Sequence, residues 1–316
     1  MNIIFAGTPQ FAAEHLKSLL ASHHNIKCIL TQPDRGSGRG KKIKPSPVKE
    51  IGLESGVRIL QPSSLKDENT INILNSLEAD LMIVVAYGLL VPKEILDIPK
   101  LGCINVHASI LPRWRGASPI EYSLYSEDKE TGITFMRMSE GLDEGPILEV
   151  HKCNIDSKDN LGALEKKLTD LGKAKLIEFL EKFEKGEIKE KPQDDSYATF
   201  APKITRAFQQ IDWKLPSEII NRKIKSLNPK YGAFTFLKNK RVKIYKGSPT
   251  HNLLKLNPGR VDIANGKELI VGCGQGTALK IEEIQMEGKG IIQSDEFVRG
   301  YHLLIKQELK FNGDER

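Results

Sequence analysis

Apolar runs of strand length alternate with helical spacings of apolar residues over the first half of the chain. The clearest runs are Asn2–Ala6, Ile26–Thr31, Leu81–Ala86 and Cys103–His107. Between the first two, apolar residues recur at helical spacing, which predicts a helix with Thr8 as its N-cap and Pro9 as its first residue. Fully apolar strands that alternate with helices are typical of a parallel sheet with both faces covered. The pattern therefore predicts a doubly wound, Rossmann-like α/β domain.

The hydrophobic pattern changes towards the carboxyl end. Residues 160–186 predict one long amphipathic helix, and the polar, proline-containing stretch after it predicts a linker. Short strands with tight turns follow, and two of them flank Asn265-Gly266, a dipeptide that favours a type I′ hairpin. We therefore expect an α/β domain over residues 1–190, a linker over 191–207 and a small OB-like β-barrel over 208–316.

Composition excludes several classes of protein. The 316 residues are 39% hydrophobic and 28% charged, which suits a soluble chain with a packed core. No apolar run approaches the roughly 18–20 residues of a membrane helix, and the first residues lack the features of a signal peptide. The cysteines are scattered without a Cys-x-x-Cys pair, which argues against a zinc ribbon or a disulfide scaffold: Cys28, Cys103, Cys153 and Cys273. We expect a cytoplasmic protein without a membrane partner.

Positive charge is concentrated in one stretch of the chain. The formal net charge is +6, yet residues 1–190 carry 25 basic and 27 acidic side chains. Residues 191–260 carry 15 basic and 4 acidic ones, and a smaller basic cluster lies within residues 31–50. Clustered lysine and arginine favour a polyanion such as nucleic acid, but a solvated basic face gives the same pattern. Charge alone leaves both interpretations open.

Two common nucleotide-binding motifs are missing from the chain. The first strand is followed by Gly7-Thr-Pro-Gln-Phe11, which is not a G-x-G-x-x-G turn, and no Walker lysine loop is present. The glycines at 36, 38 and 40 lie in a basic loop that leads to a proline and not to a helix. The α/β domain is therefore not predicted to bind a dinucleotide.

The segment from Asn105 to Gly116 is the most informative about chemistry. Asn105 and His107 lie two residues apart on a predicted strand, so both side chains point to one face at the carboxyl end of the sheet. An amide donor beside an imidazole suits an anion or an oxyanion, and the turn around Asp143 adds a carboxylate. Hydrogen-bonded structural asparagines and histidines are also common in strands, so the pair alone does not establish a site.

Segments from nearly the whole chain carry a resemblance to a known family. They are TQPDRGSGRGKKIKPSPVK (31–49), VVAYGLLVP (84–92), GCINVHASILPRWRGASPI (102–120), ETGITFMRMSEGLDEGPIL (130–148) and YATFAPKIT (197–205). With them the chain resembles the methionyl-tRNA formyltransferases. Its Asn-x-His and Ser-x-Leu-Pro-x-x-Arg-Gly elements are shared by 10-formyltetrahydrofolate-dependent formyltransferases generally.

The resemblance implies direct transfer of a formyl group from 10-formyltetrahydrofolate to the methionine amine of initiator methionyl-tRNA. The catalytic residues of the family fall on Asn105, His107 and Asp143. Attack of the amine on the formyl carbon gives a tetrahedral oxyanion, which Asn105 and His107 would stabilise. Asp143 would relay protons through water or through His107.

The resemblance also assigns binding residues. Folate contacts fall on Ser109, Ile110, Leu111, Pro112, Tyr87, Gly88 and Leu89, although residues 85–89 are also interpretable as the end of a core strand. Contacts with tRNA fall on the basic loop 34–48 and on the basic run of the second domain, with Arg39, Lys41, Lys42 and Lys243 as the chosen residues. Arg115 either positions substrate or braces its loop. The resemblance implies a monomer that uses no metal.

Three alternative functions compete with this interpretation. A formyltransferase acting on a glycinamide ribonucleotide or an amino-sugar nucleotide would share the three catalytic residue types, but the basic loop and the basic stretch argue for tRNA. A non-catalytic RNA-binding protein would not need those three residues together. A formyl-transfer assay with and without charged tRNA settles these two alternatives. The third, a folate hydrolase, would release formate without an acceptor.

Overall fold

Two compact units make up the chain in the computed structural model, which describes residues 1–37, 42–238, 240–251, 253, 255–306 and 311–312. The first unit contains Met1–Pro119, Glu130–Asn154 and Glu165–Pro202. The second contains Ile120–Lys129, Ile155–Leu164 and Lys203–Arg316. Two short segments that lie in the sequence between parts of the first unit therefore belong to the second unit.

A mixed sheet forms the centre of the first unit. The strands of this unit, in chain order, are β1 (Asn2–Gly7), β2 (Asn25–Leu30), β3 (Arg35–Ser37), β4 (Lys42–Lys44), β5 (Ile59–Leu60), β6 (Leu81–Val85), β7 (Cys103–His107), β8 (Glu130–Arg137) and β9 (Ile147–Asn154). The order across the sheet is β5-β2-β1-β6-β7-β8-β9. The pairs from β5 to β7 are parallel, whereas β8 and β9 run antiparallel to their neighbours.

Helices connect these strands. In chain order they are α1 (Gln10–Leu20), α2 (Pro47–Ser55), α3 (Glu68–Ser76), α4 (Lys93–Leu96), α5 (Pro119–Tyr125) and α6 (Leu161–Glu184). Most of α5 and the first residues of α6 lie in the second unit.

The central strands are apolar because both faces of the sheet are covered. Ile3, Ile4 and Phe5 follow one another on β1, and each has an exposed fraction of 0%. Successive strand residues point to opposite faces, so full burial of all three means that neither face meets water. Burial of each such side chain stabilises the fold by roughly 1.5–3 kcal/mol. The predicted α/β class is confirmed.

The start of α1 differs from the prediction. Pro9 is the N-cap residue and Gln10 is the first helical residue, with no side-chain cap. The Thr8 hydroxyl instead donates a hydrogen bond to the Tyr87 carbonyl at 2.9 Å. Because this acceptor follows β6, the neighbouring strand, Thr8 ties the two strand ends together, and sequence periodicity does not reveal such a partner.

Residues 31–46 also differ from the irregular loop that their composition predicts. Strands β3 and β4 pair as an antiparallel ribbon, with Arg35 opposite Lys44 and Gly36 opposite Ile43. Residues 38–41, which connect the two strands along the chain, lie outside the described residues.

An antiparallel sheet forms the centre of the second unit. The remaining strands are β10 (Ala233–Leu237), β11 (Lys240–His251), β12 (Val261–Ala264), β13 (Glu268–Gly272), β14 (Thr277–Met286), β15 (Ile291–Gln293) and β16 (Phe311–Asn312), and the remaining helices are α7 (Arg206–Gln209), α8 (Ser217–Leu227) and α9 (Ser294–Lys306). The order across the sheet is β12-β13-β14-β11-β10-β16, with β15 on β14. The predicted Asn265-Gly266 hairpin joins β12 to β13 with positive φ at both residues, 51° and 71°, as a type I′ turn requires.

Residues 191–202, which the sequence predicts as a linker, are bonded through their backbone to other segments of the first unit. The backbone of Lys191 exchanges two hydrogen bonds with that of Ile147, at 2.8 and 2.9 Å. The Arg115 N–H donates to the Thr199 carbonyl at 2.9 Å, and the Ala201 N–H donates to the Arg115 carbonyl at 2.8 Å. These bonds group residues 191–202 with the first unit. Backbone pairing does not depend on hydrophobic side chains, so a polar sequence does not reveal it.

The cysteines form no disulfide bonds with one another. All four cysteines carry free thiols, and Cys28, Cys103 and Cys273 are buried. Within the described part of the chain, no helix is both long enough and apolar enough to cross a membrane.

Candidate active site

Asn105 and His107 lie at the carboxyl end of β7, on one face of the strand. Strand β7 pairs in parallel with β6, with Val84 opposite Asn105. It pairs antiparallel with β8, with Thr134 opposite His107. Strands β2 and β6 lie on opposite sides of β1, so the direction in which successive strands are added to the sheet reverses there. In open α/β sheets, the carboxyl ends of the strands near such a reversal form the crevice that binds ligands.

Asp143 joins the two side chains of β7 into one cluster. The Asn105 amide Nδ2 donates to Oδ1 of Asp143 at 3.1 Å, and the Gly116 backbone N–H donates to Oδ2 at 2.8 Å. Nδ1 of His107 lies 3.6 Å from the same Oδ2. The structure therefore brings all three predicted catalytic residues together, with a donor on each carboxylate oxygen and the imidazole beside them.

The other nitrogen of His107 fixes the tautomer of the ring. His107 is only 5% exposed, and Nε2 lies 2.9 Å from the Trp114 carbonyl oxygen. A carbonyl only accepts, so Nε2 carries a proton. Nδ1 is therefore the nitrogen that gains or loses a proton, and it faces Asp143. A second proton on Nδ1 would create a positive charge directly beside the carboxylate.

Backbone conformation presents the Asp143 carboxylate. Asp143 has φ of +51°, a left-handed conformation that aspartate tolerates better than most residues. Two residues later, a Cβ on Gly145 would overlap the Arg137 carbonyl oxygen. On the other side, Gly116 has φ of +117°, and a Cβ there would lie 2.9 Å from the Ala201 carbonyl oxygen. Glycine at these two positions lets the turn and the Gly116 N–H approach each other.

Arg115 braces its loop, which resolves the alternatives left open by the sequence. The residue is 4% exposed. Its guanidinium donates to Oε1 of Gln193 from Nε at 3.0 Å and from a terminal nitrogen at 2.9 Å, and that nitrogen also donates to Asp195 at 2.7 Å. The guanidinium is thus bonded to the 193–195 segment, which favours the bracing interpretation.

The predicted folate loop Ser109–Pro112 is held by a bond to the following residues and by Thr134 on β8. The Ser109 hydroxyl donates to the Arg113 carbonyl at 2.6 Å, and the Ser109 carbonyl accepts from the Thr134 hydroxyl at 2.6 Å. Ser109 and Leu111 are buried, at 0% and 3% exposure, whereas Ile110 and Pro112 are half-buried. The last two thus have the accessible apolar surface that a flat ring could contact.

The second predicted folate segment, Tyr87–Leu89, leaves β6 beside β7. The Tyr87 side chain is 2% exposed within the core, and burial raises the pKa of its hydroxyl. Its carbonyl accepts from the Thr8 hydroxyl and, at 3.0 Å, from Nε2 of Gln32. Gly88 is exposed and Leu89 half-buried. Tyr87 therefore contributes its backbone at most, while its two neighbours are accessible.

Comparisons with known proteins agree with this geometry. Two family models match, "Formyl transferase" over residues 1–180 and "Formyl transferase, C-terminal domain" over residues 203–302. The methionyl-tRNA formyltransferase of Pseudoalteromonas translucida is 45% identical over 302 residues, covering 95% of this chain and 94% of its own. The chain belongs to the methionyl-tRNA formyltransferase family. The enzyme of the same name from Coxiella burnetii strain RSA 331 is 42% identical, over 95% of this chain and 96% of its own.

Solved structures share the fold of this formyltransferase. A sugar 3N-formyl transferase, WlaRD, was solved with dTDP and 5-N-formyl-THF; it has a TM-score of 0.66 and 17% identity and covers 92% of this chain and 99% of its own. HypX from Aquifex aeolicus, in complex with tetrahydrofolic acid, has a TM-score of 0.63 and 18% identity, over 96% of this chain and 47% of its own. At such identities the likeness extends to the fold alone.

The basic residues predicted to bind tRNA fall into three groups. Arg39 and Lys41 lie outside the described residues. Lys42 is the first residue of β4, and its side chain is not described. Lys243 is half-buried, its amine donates to the Tyr231 carbonyl at 2.6 Å, and burial lowers its pKa. An internal hydrogen bond therefore occupies part of the donor capacity of Lys243.

Other lysines and arginines of the formyltransferase's basic stretch are also engaged within the second unit. The Lys223 amine is buried and donates to the Gln210 carbonyl, and Lys225 donates to the Ser157 carbonyl. Arg222 pairs with Glu127 at 3.2 Å. Lys238 and Lys240, by contrast, are exposed at the β10–β11 hairpin. The charge available to a partner is therefore smaller than the sequence count, and part of it is exposed at this hairpin.

One site feature was missed from the sequence, namely the part played by residues 191–202. Gln193 donates from Nε2 to the carbonyl oxygens of Asp143 and Gly145, both at 2.8 Å. The segment includes part of the YATFAPKIT motif that contributes to the family resemblance. The motif was the available sign that this segment matters to the family, but the polar composition of the segment favoured a linker.

Proposed function

We propose that this enzyme transfers the formyl group of 10-formyltetrahydrofolate to the amino group of methionine on initiator methionyl-tRNA, and that the reaction takes place at Asn105, His107 and Asp143. One observation carries the assignment to these residues. The Asp143 carboxylate accepts from the Asn105 amide and lies 3.6 Å from the proton-exchanging nitrogen of His107, at the carboxyl edge of the sheet.

Asn105 stabilises the oxyanion. When the amine nitrogen attacks the formyl carbon, the formyl oxygen takes the negative charge. One N–H of the Asn105 amide is bonded to Asp143, and among the described residues no acceptor binds the other. That second N–H is available for the oxygen, and a preorganised donor of this kind is worth about 10²–10³ in rate.

Asp143 and His107 move the protons. The attacking nitrogen loses a proton as the new C–N bond forms, and N10 of the folate gains one as the old C–N bond breaks. An α-amino group titrates near 7.7–8.0, and esterification lowers this further, so a neutral amine is available without a strong base. The Asp143 carboxylate accepts the proton, directly or through Nδ1 of His107, and returns it to N10.

The folate donor lies along the edge formed by the ends of β6 and β7. The accessible surfaces of Gly88, Leu89, Ile110 and Pro112 suit a flat, largely apolar ring with main-chain partners. This placement leaves Ser109, Leu111 and the Tyr87 side chain as structural support for the pocket walls.

The tRNA is held by charge. The second unit supplies phosphate contacts through exposed lysines such as those of the β10–β11 hairpin, and Arg39, Lys41 and Lys42 bind the acceptor arm. Phosphate contacts give affinity and salt dependence without base specificity. We further propose that the enzyme is cytoplasmic and acts as a monomer. Light scattering of the purified chain tests the oligomeric state.

The decisive experiment is a formylation assay with 10-formyltetrahydrofolate and charged initiator tRNA. We expect Asn105→Ala, His107→Ala and Asp143→Asn each to lower kcat by at least about 10²-fold. Asp97→Asn makes the same chemical change at an exposed residue of the same unit and should retain full activity. Losses below about tenfold for all three variants would remove the assignment, and formate release without tRNA would indicate a hydrolase.

A further inference from the structure

The side chain of Gln193 connects the turn that carries Asp143 to the guanidinium of Arg115. Its Nε2 donates to the carbonyl oxygens of Asp143 and Gly145, both at 2.8 Å. Its Oε1 accepts from two nitrogens of Arg115, at 3.0 and 2.9 Å. An amide offers two donated and two accepted bonds, so Gln193 uses its full capacity.

The chemistry of the partners fixes the orientation of this amide. Carbonyl oxygens only accept and a guanidinium only donates. A rotated amide would therefore place its oxygen against two carbonyl oxygens and its NH₂ group against a cation, losing all four bonds. Glutamate at this position would keep the Arg115 bonds but lose both donated bonds.

Asp143 is held from two directions by this arrangement. Its carboxylate accepts from the N–H of Gly116, and its backbone carbonyl accepts from Gln193. Gly116 follows Arg115 in the chain, and Arg115 donates to Gln193. The bonds form a closed circuit through Asp143, Gly116, Arg115 and Gln193, so a shift of the turn must break at least one of them.

The segment that carries Gln193 is itself fixed. Two residues earlier, Lys191 pairs with Ile147 on β9 through two backbone bonds. The following turn, residues 195–197, is capped by the Asp194 side chain, which accepts from the Ser196 N–H at 3.0 Å. Gln193 therefore reaches Asp143 from an anchored backbone.

We propose that Gln193 is a positioning residue of the formyl transfer, which fixes the backbone of Asp143 and thereby the distance between its carboxylate and His107. This inference depends on the proposed role of Asp143. Asp143 has positive φ and lies outside the strands, so its backbone depends on the hydrogen bond from Gln193 while its carboxylate is held by Asn105 and Gly116. Displacement of a reacting group by about 1 Å is enough to cost about 10²-fold in rate.

The test is a double-variant cycle with Gln193→Met and Asp143→Asn in the full-length chain. Gln193→Met should lower kcat by about 10²-fold while the KM for each substrate changes by less than about threefold, since all four hydrogen bonds of the Gln193 amide are made within the protein. Gln193→Glu should be impaired to a similar extent. In the Asp143→Asn background, Gln193→Met should have almost no further effect, because residues that act through one group are not additive. Asn75→Leu, which removes an exposed amide on α3, is the matched control.

Each outcome separates the two proposals. If Asp143→Asn is inactive but both Gln193 variants retain full kcat, the positioning role is wrong and the site assignment stands. If the effects of Gln193→Met and Asp143→Asn multiply, Gln193 acts by another route and the inference is overturned. If Asp143→Asn retains full kcat, the proposed role of Asp143 fails and the inference fails with it. Circular dichroism identifies any variant that loses activity by unfolding. If Gln193→Met is unfolded, the kcat of the Gln193→Glu variant tests the positioning role.

Discussion

Nδ1 of His107 lies 3.6 Å from Oδ2 of Asp143, while Nε2 of the same ring is bonded to the Trp114 carbonyl. The two ring nitrogens therefore have different tasks: one holds the ring in place, and the other faces the carboxylate. We propose that the pair acts as a proton-transfer unit, and this proposal leads to predictions about protonation, strain and charge.

The tautomer of His107 is the first prediction. We expect the neutral ring to carry its proton on Nε2, because the Trp114 carbonyl can only accept. Side-chain ¹⁵N NMR of the labelled protein, with the His107→Gln spectrum for assignment, measures this directly. A neutral ring protonated on Nδ1 would contradict the proposed direction of proton transfer.

Substitution of Gly116 should impair both stability and catalysis. A Cβ at this position would be strained by the φ of +117° and would crowd the Ala201 carbonyl at 2.9 Å. We expect Gly116→Ala to cost about 1–3 kcal/mol in the free energy of unfolding and to lower kcat, since the Gly116 N–H holds Asp143. Gly186 also has positive φ, +70°, but a Cβ there meets nothing within 4 Å. Gly186→Ala should therefore lose stability with unchanged kcat, and equal kcat losses in both variants would argue against the role of Gly116.

Salt should weaken tRNA binding, and the β10–β11 hairpin should account for part of the effect. Each phosphate contact that is removed lowers the slope of log K against log salt by about 1. We expect a Lys238→Ala, Lys240→Ala double variant to reduce that slope by up to about 2. Lys166→Ala removes an exposed lysine on α6, with 78% side-chain exposure, and should leave the slope unchanged. Filter binding between low and moderate salt measures the slopes, and a slope near zero for the parent enzyme would contradict the charge assignment.

His15 should make stability depend on pH. It is fully buried, its Nδ1 lies 2.7 Å from the Phe11 carbonyl, and burial lowers its pKa to about 4. Between pH 6.5 and 4 the unfolded chain then binds more protons than the folded one, so stability falls as pH falls. The loss from this group approaches about 3 kcal/mol at the acid end.

The variant His15→Leu tests this linkage by urea unfolding at several pH values. Its free energy of unfolding should fall less steeply than that of the parent between pH 6.5 and 4. The two curves should run parallel above pH 7, where His15 is neutral in both states. Parallel curves over the whole range would show that His15 does not contribute to the pH dependence of the free energy of unfolding.

Much of the fold and the Asn105–His107 pair follow from local sequence, whereas Asp143 is assigned to the site by the family resemblance. The alternation of Asn2–Ala6, Leu81–Ala86 and the other apolar runs predicts the α/β unit, because strands buried on both faces must be apolar. The two-residue spacing of Asn105 and His107 puts both on one face, since strand geometry fixes the side-chain period at two. These features depend on backbone periodicity and on burial, and both are visible in the sequence as patterns of apolar and polar residues.

The positions of Asp143, Thr8 and Gln193 were decided only by tertiary structure. Asp143 is far along the chain from His107, and only the approach of the 139–146 turn to β7 places them 3.6 Å apart. Thr8 resembles a helix cap in the sequence, but the end of β6 provides it with a different acceptor. Gln193 lies in a polar stretch predicted as a linker, yet it bonds to two carbonyls beside the site. Hydrogen bonds between distant segments depend on where backbone donors and acceptors meet in space, and the sequence of each segment does not specify that meeting.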